Sequence, residues 1–111
     1  MEERRKFLRF SSSLMIRIEK ENEIFQGRIK DFSRWGIRCI FDNFDFSEKE
    51  IVNFKIQRPN RDIFIPFRGE IVWKKETEEG WEVGINIKNL LSSVKSEILE
   101  FCYQNWVRSF Q

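Results

Sequence analysis

From Leu14 onward the chain alternates. Leu14, Ile16 and Ile18 fall on one side of an extended segment and Arg17 and Glu19 on the other, the period of two expected of a strand with one buried face. Glu19 to Glu23 then reads as a polar turn. A second run, Ile24 to Lys30, puts Phe25, Gly27 and Ile29 on one face, with Gly27 placed to mark a bulge or a bend. Asp31 to Gly36 interrupts the pattern, so this stretch is expected at a strand-to-strand connection, and Ile37 to Phe41 restores it. Asp42 to Glu50 reads as an acidic loop whose Phe44 and Phe46 cap one end of a core. Ile51 to Gln57 alternates again and Arg58 to Asp62 turns the chain. Ile63 to Trp73 is a long run in which Pro66 implies a locally unpaired position. Lys74 to Gly80 reads as a polar hairpin tip, after which Trp81, Val83, Ile85 and Ile87 share one face of the last strand. Trp73 and Trp81 flank that tip and are read as core or rim packing.

The period then changes. Val94, Ile98, Phe101, Cys102 and Trp106 recur at three- and four-residue spacing behind Ser92 and Ser93, which predicts a helix over about 94–108 with a serine cap. Its apolar stripe must be buried, either over the open end of the strands or against a second copy of the chain. Short strands separated by turns, followed by one amphipathic helix, predict a mainly β fold: an antiparallel β-barrel with a C-terminal α-helix. At 111 residues there is material for one core. The expected organisation is a single domain with an arm at 1–13, a barrel at 14–88 and a helix at 92–108. The arm ends in Ser11-Ser12-Ser13, which favours irregular backbone, while Phe7, Leu8 and Phe10 give it apolar groups with which to dock.

Two clusters carry the chemistry. Arg4, Arg5, Lys6 and Arg9 crowd the arm, offset only by Glu2 and Glu3, and in an extended chain Arg5 and Arg9 face the same way. The second cluster is Asp31, Ser33 and Gly36, with Arg34 and Trp35 between them. Arginine's planar fork matches phosphate oxygens and the O6/N7 edge of guanine, and a carboxylate accepts from guanine's N1 and N2 donors. Together the clusters suit a ligand with phosphates and guanine-like edges. As plain turn residues, Asp31 and Ser33 would cap backbone N–H groups and Gly36 would supply φ > 0. Trp35 is placed either to stack on a base or to pack on the barrel.

The order RxxxR (Arg5, Arg9) then DxSxxG (Asp31, Ser33, Gly36) resembles the PilZ domain family. Gly69-Glu70-Ile71-Val72-Trp73 and Trp81 to Ile87 are similar to that family's later strands, so the resemblance covers nearly the whole chain, as for a stand-alone domain. It implies a six-stranded antiparallel β-barrel of PilZ type with a C-terminal helix, and cyclic di-GMP as ligand. Arg5 and Arg9 would grip guanine edges and phosphates, Asp31 and Ser33 would hydrogen-bond a guanine, and Gly36 would allow close backbone approach. Arg4 occupies the position that in the family influences whether one ligand or an intercalated pair is bound. The implied activity is that of a receptor or adaptor that signals through its arm to a protein effector in motility, adhesion, biofilm or exopolysaccharide control. The rival expectation is a PilZ-fold protein-interaction module that binds no nucleotide.

Composition narrows the alternatives. A net charge of +2 from 20 basic and 18 acidic side chains gives no field suited to a nucleic acid polymer. With no His, and with Cys39 and Cys102 far apart, neither a zinc site nor a Cys/His or Ser/His pair can be assembled, so the expectation is no enzyme, no metal and no cofactor. The two cysteines are expected as buried thiols in a reducing compartment. The first residues lack a signal-peptide core and no apolar run reaches spanning length, so the expected setting is cytoplasmic, without membrane insertion, as a monomer or weak homodimer.

Overall fold

Strand pairing realises the alternation as a closed ring. The computed structural model describes residues 10–11 and 14–108, the first two by backbone alone. Its elements are β1 (Phe10–Ser11), β2 (Met15–Lys20), β3 (Glu23–Phe32), β4 (Gly36–Phe41), β5 (Ile51–Gln57), β6 (Phe64–Thr77), β7 (Gly80–Ile87) and α1 (Ser92–Arg108). β2 to β7 form a six-stranded antiparallel barrel in the ring order β3-β2-β5-β6-β7-β4, closed by the β3–β4 pairing. Pairing of β1 with Phe32 and Asp31 of β3 adds a short seventh strand. The irregular arm expected through residue 13 is therefore corrected at Phe10 and Ser11, which pair with β3 as a strand.

Inward positions make the core. Leu14, Ile16 and Ile18 are buried as their alternation requires, together with Ile29, Phe32, Phe41, Phe54, Ile71 and Val83. Each such side chain contributes roughly 1.5–3 kcal/mol by leaving water. Phe44 and Phe46 plug one end, packing edge-on to each other with ring centroids 5.2 Å apart, and Phe25 meets Phe46 at the same distance. Gly69 faces inward because there is no room for more: a Cβ there would lie 2.5 Å from Ile85 Cγ2 and 3.1 Å from the Phe54 ring.

The helix closes on its own chain. Val94, Ile98 and Cys102 join the barrel's core cluster, and Arg58, from the β5–β6 turn, grips Glu97 through Nε at 3.1 Å and Nη2 at 2.7 Å. No serine cap is seen among the described bonds; the Leu91 carbonyl accepts from the N–H groups of Val94 and Lys95. Trp106, expected in the buried stripe, is 46% exposed, with its ring centroid 6.0 Å from that of Tyr103.

Two interruptions of register shape the barrel wall. The β3–β4 ladder shifts between Ile29 and Asp31, and the β6–β7 ladder between Ile71 and Trp73, which makes Lys30 and Val72 the extra residues of β-bulges. The bend expected at Gly27 is thus found three residues later; Gly27 instead admits the Phe41 ring, which would stand 2.9 Å from a Cβ. The expected hairpin tip shrinks to Glu78 and Glu79, since β6 continues to Thr77 and β7 begins at Gly80. Gly80 is the only glycine among the described residues with positive φ, at 134°. No helix of the described residues is long and apolar enough to cross a membrane.

Candidate functional site

The bulge at Lys30 decides which way Asp31 faces. Ile29 points into the core, so an unbroken strand would carry Asp31 inward as well; the extra residue turns Asp31 to the outer face and returns Phe32, fully buried, to the inner one. The bulge at Val72 does the same to Trp73. With Ile71 fully buried, Val72 at 47% exposure and Trp73 at 36% both lie outside. Residues directly opposite in antiparallel strands share a face. Two adjacent rows therefore cross the same four strands: an inner row of Phe32, Ile37, Ile85 and Ile71, and an outer row of Asp31, Arg38, Gly84 and Trp73. In register, Ser11 of β1 stands opposite Asp31.

The outer row is a charge cluster beside an aromatic wall. Arg38 Nε donates to Asp31 Oδ2 at 2.8 Å and Arg38 Nη1 donates to Glu82 Oε2 at 2.6 Å. Both carboxylates are largely shielded, at 7% and 15% side-chain exposure, while Arg38 retains 37%. Burial of Arg38 opposes its charge, but the hydrogen bonds it donates to Glu82 and Asp31 outweigh that and raise its pKa. Behind them the Cys39 thiol is pushed up, first by burial and then by the charges of Asp31 and Glu82, which keeps it protonated and unreactive. Gly84 has no side chain, and the Trp73 indole occupies the space a Cβ would need. The result is an open cleft of about 310 Å³ lined by Asp31, Gly36, Arg38, Trp73, Gly84 and Asn86, among others.

Ser33 and Gly36 form the turn that brings β3 back as β4. Ser33 Oγ accepts from the Gly36 N–H at 3.1 Å and donates to the Gly36 carbonyl at 3.2 Å, and the Ser33 N–H donates to that carbonyl at 2.9 Å. The hydroxyl takes the part of a backbone carbonyl in closing the hairpin. Gly36 is not in a positive-φ conformation, contrary to expectation; the strained position it was expected to fill does not arise. Asp31 is likewise not at the turn but inside β3, paired with Arg38. Trp35 stands at the tip, 51% exposed, with Lys95 Nζ 5.2 Å from its ring centroid.

Of the expected site residues, Asp31, Ser33 and Gly36 thus come together at one end of the β3–β4 hairpin. Arg4, Arg5 and Arg9 lie outside the described residues. Arg38, Glu82, Trp73 and Asn86 were not anticipated. Counting outward from the Ser33–Gly36 turn would have set Arg38 opposite Asp31, but the bulge that turns Asp31 outward leaves no mark in the alternation. Among the described residues, no group of three or more metal-binding side chains is gathered.

A family model for the PilZ domain matches residues 3–104, and the chain belongs to that family. No curated protein matches it in sequence. Solved structures share the fold. The Bacillus subtilis inhibitor of motility MotI/DgrA has a TM-score of 0.75 at 16% identity, covering 96% of this chain and 52% of that one. The PilZ domain of Escherichia coli YcgR, solved with c-di-GMP, has a TM-score of 0.72 at 11% identity, covering 96% and 95%. The K. pneumonia MrkH–c-di-GMP complex has a TM-score of 0.72 at 14% identity, covering 96% and 54%. The chain spans about half the length of MotI/DgrA and MrkH.

Proposed function

We propose that this chain is a cyclic di-GMP receptor in which the barrel wall reads a base and the basic arm takes the phosphates. One observation carries the proposal: β1 pairs Phe10 with Phe32 and Ser11 with Asp31, so the residue that follows Arg9 in sequence is held beside the Asp31–Ser33 end of the wall. The charges support the same division. Among the described residues lining the cleft, Arg38 is the one cation, and it is committed to two carboxylates. Such a wall suits a neutral ring that offers donors, not a phosphate. The two phosphates of a cyclic dinucleotide then fall to Arg5 and Arg9, which by the family motif would grip guanine edges as well. Asp31 accepts from guanine; Ser33, whose hydroxyl already closes the turn, retains one acceptor lone pair and serves mainly by holding Gly36 in place.

Closure of residues 1–9 over the nucleotide presents a new surface to a protein effector, in a cytoplasmic signalling role without catalysis. The YcgR PilZ domain and MrkH, both solved with c-di-GMP, support the choice of ligand. Calorimetric titration with cyclic di-GMP, with GTP and cyclic GMP as controls, tests it. Saturable binding of the dinucleotide alone is expected, and Arg9→Ala should weaken it about ten- to a hundredfold. Absence of heat and of any ligand-dependent melting shift would favour a protein-interaction module instead.

A further inference from the structure

The cleft uses one half of the ring, strands β3, β4, β7 and β6. The other half, β3-β2-β5-β6, has an outer wall with a charge pattern of its own. Because Ile29, Ile16, Phe54 and Phe67 face inward, their neighbours Arg28, Arg17, Lys55 and Arg68 face outward. Register sets these four on one diagonal. Arg28 stands opposite Met15, two residues from Arg17; Arg17 stands opposite Lys55; Arg68 stands opposite Asn53, two residues from Lys55. With strands about 4.8 Å apart and same-face residues about 6.7 Å apart along a strand, the stripe spans roughly 20 Å. That is the reach of about six extended residues.

We propose that this stripe docks an acidic, extended segment of a protein partner, across β2 and β5, which the cleft does not touch. The inference stands apart from the cyclic di-GMP reading. Charge complementarity carries it. Within the stripe the one anion among the described residues is Glu19, which meets Lys55 at 2.9 Å and Arg17 at 3.5 Å. At its borders Asp42 is exposed beside Arg28, while Glu79 is held by Lys30 and Glu70 by Lys88. Arg28 and Arg68 are exposed and enter no ion pair among the described residues. Ile24, opposite Glu19, and Ile51, on the same face of β5 as Lys55, are exposed too, so the fitting segment carries apolar side chains among its carboxylates. A nucleic acid matches less well. The exposed rings Trp35, Trp73, Tyr103 and Trp106 lie at the β3–β4 turn, in the cleft and on α1. Phe64 of this wall is covered by the Arg17 guanidinium, 3.9 Å from its centroid, which leaves bases no face to stack on.

Fluorescence anisotropy on the full chain tests this, with a labelled peptide of about ten residues, glutamates with leucines between them, as probe. Its glutamine counterpart and a single-stranded DNA oligonucleotide are the controls, with phosphatidylserine vesicles followed by sedimentation. We expect saturable, salt-sensitive binding of the glutamate peptide alone. Arg28→Gln combined with Arg68→Gln should weaken it about tenfold, and Glu19→Gln should tighten it severalfold by removing the competing carboxylate. The opposite signs exclude damage to the barrel as the cause, since a loosened fold would weaken binding in both. No binding of the glutamate peptide, equal affinity in wild type and both variants, or a preference for DNA or vesicles would overturn the inference.

Discussion

The inner row Phe32-Ile37-Ile85-Ile71 and the outer row Asp31-Arg38-Gly84-Trp73 lie side by side on the same four strands yet obey different rules. Inside, side chains are no more than 2% exposed and what counts is volume. Outside, one cation is shared by two carboxylates, and an absent side chain makes room for an indole. The inner row supplies stability and could be rebuilt from other apolar residues of similar size. The outer row adds little stability and cannot be rebuilt so, because its value lies in which donors and acceptors face the cleft. Two single-residue bulges keep the rows apart.

Removing a bulge is the harshest way to break this separation. Inserting one residue between Arg38 and Cys39 would give Lys30 a partner, restore a regular ladder, drive Asp31 inward and expel Phe32. Burying a carboxylate while losing a core phenylalanine costs more than about 4 kcal/mol. Chemical denaturation should find little or no folded protein; a variant of near wild-type stability would show that the bulge does not set the facing of Asp31.

Replacing one member of each row comes next in size. Ile71→Ala should cost about 2–5 kcal/mol, because Ile71 is fully buried and the closed barrel cannot collapse onto the void. Trp73→Ala, two residues on, removes a larger side chain but should cost about 1 kcal/mol or less, since the indole rests on the outer surface at 36% exposure. Urea midpoints for the pair measure the contrast directly. Equal losses would mean that Trp73 is as much a core residue as Ile71.

How much of this the sequence disclosed depends on the same distinction. Period-two alternation records burial, so β2, β5 and the facing residues of β7 were legible, as was the helix from its three- and four-residue spacing. A bulge inserts one residue without changing composition. The segment from Asp31 to Gly36 therefore read as a single turn, although Asp31 and Phe32 complete β3 and only Ser33, Arg34 and Trp35 form the loop. The polar Lys74 to Thr77 likewise looked like a hairpin tip, yet these residues continue β6 and pair with Val83 to Gly80 of β7. Asp31 and Ser33 could be named from their motif. Arg38, Glu82 and Trp73 come from strands distant in sequence and could be assembled only by register.

Asp31→Asn moves the outer row without touching the inner. It keeps the shape of the side chain and removes the charge that Arg38 meets at 2.8 Å. A hydrogen bond between charged groups is worth about 1.5–3 kcal/mol, and with Arg38 more than a third exposed the loss should be nearer 1 kcal/mol. Nucleotide binding should suffer more, by about thirtyfold or above in calorimetry, because an amide cannot accept as a carboxylate does from both N1 and N2. A loss of stability with binding retained would reverse the roles assigned to this residue.

The smallest effect belongs to Ser33, and it separates the two ways in which a motif residue can matter. Its hydroxyl accepts the Gly36 N–H and donates to the Gly36 carbonyl, both within a turn where Ser33 is 1% exposed. Ser33→Ala leaves that N–H without its acceptor and should cost about 0.5–1.5 kcal/mol, with a local rise in hydrogen exchange at Gly36 and Ile37. Ser33→Thr keeps the hydroxyl but must fit a methyl group into a buried turn. If Ser33 serves chiefly as the fastener of the hairpin, affinity for cyclic di-GMP should fall in step with the loosening of Gly36 across Ala and Thr. If the hydroxyl contacts the base directly, Thr should bind better than its turn stability predicts. The slope of affinity against Gly36 protection tells the two apart, and the geometry favours the fastener, since the donor and one acceptor site of the hydroxyl are already engaged within the turn.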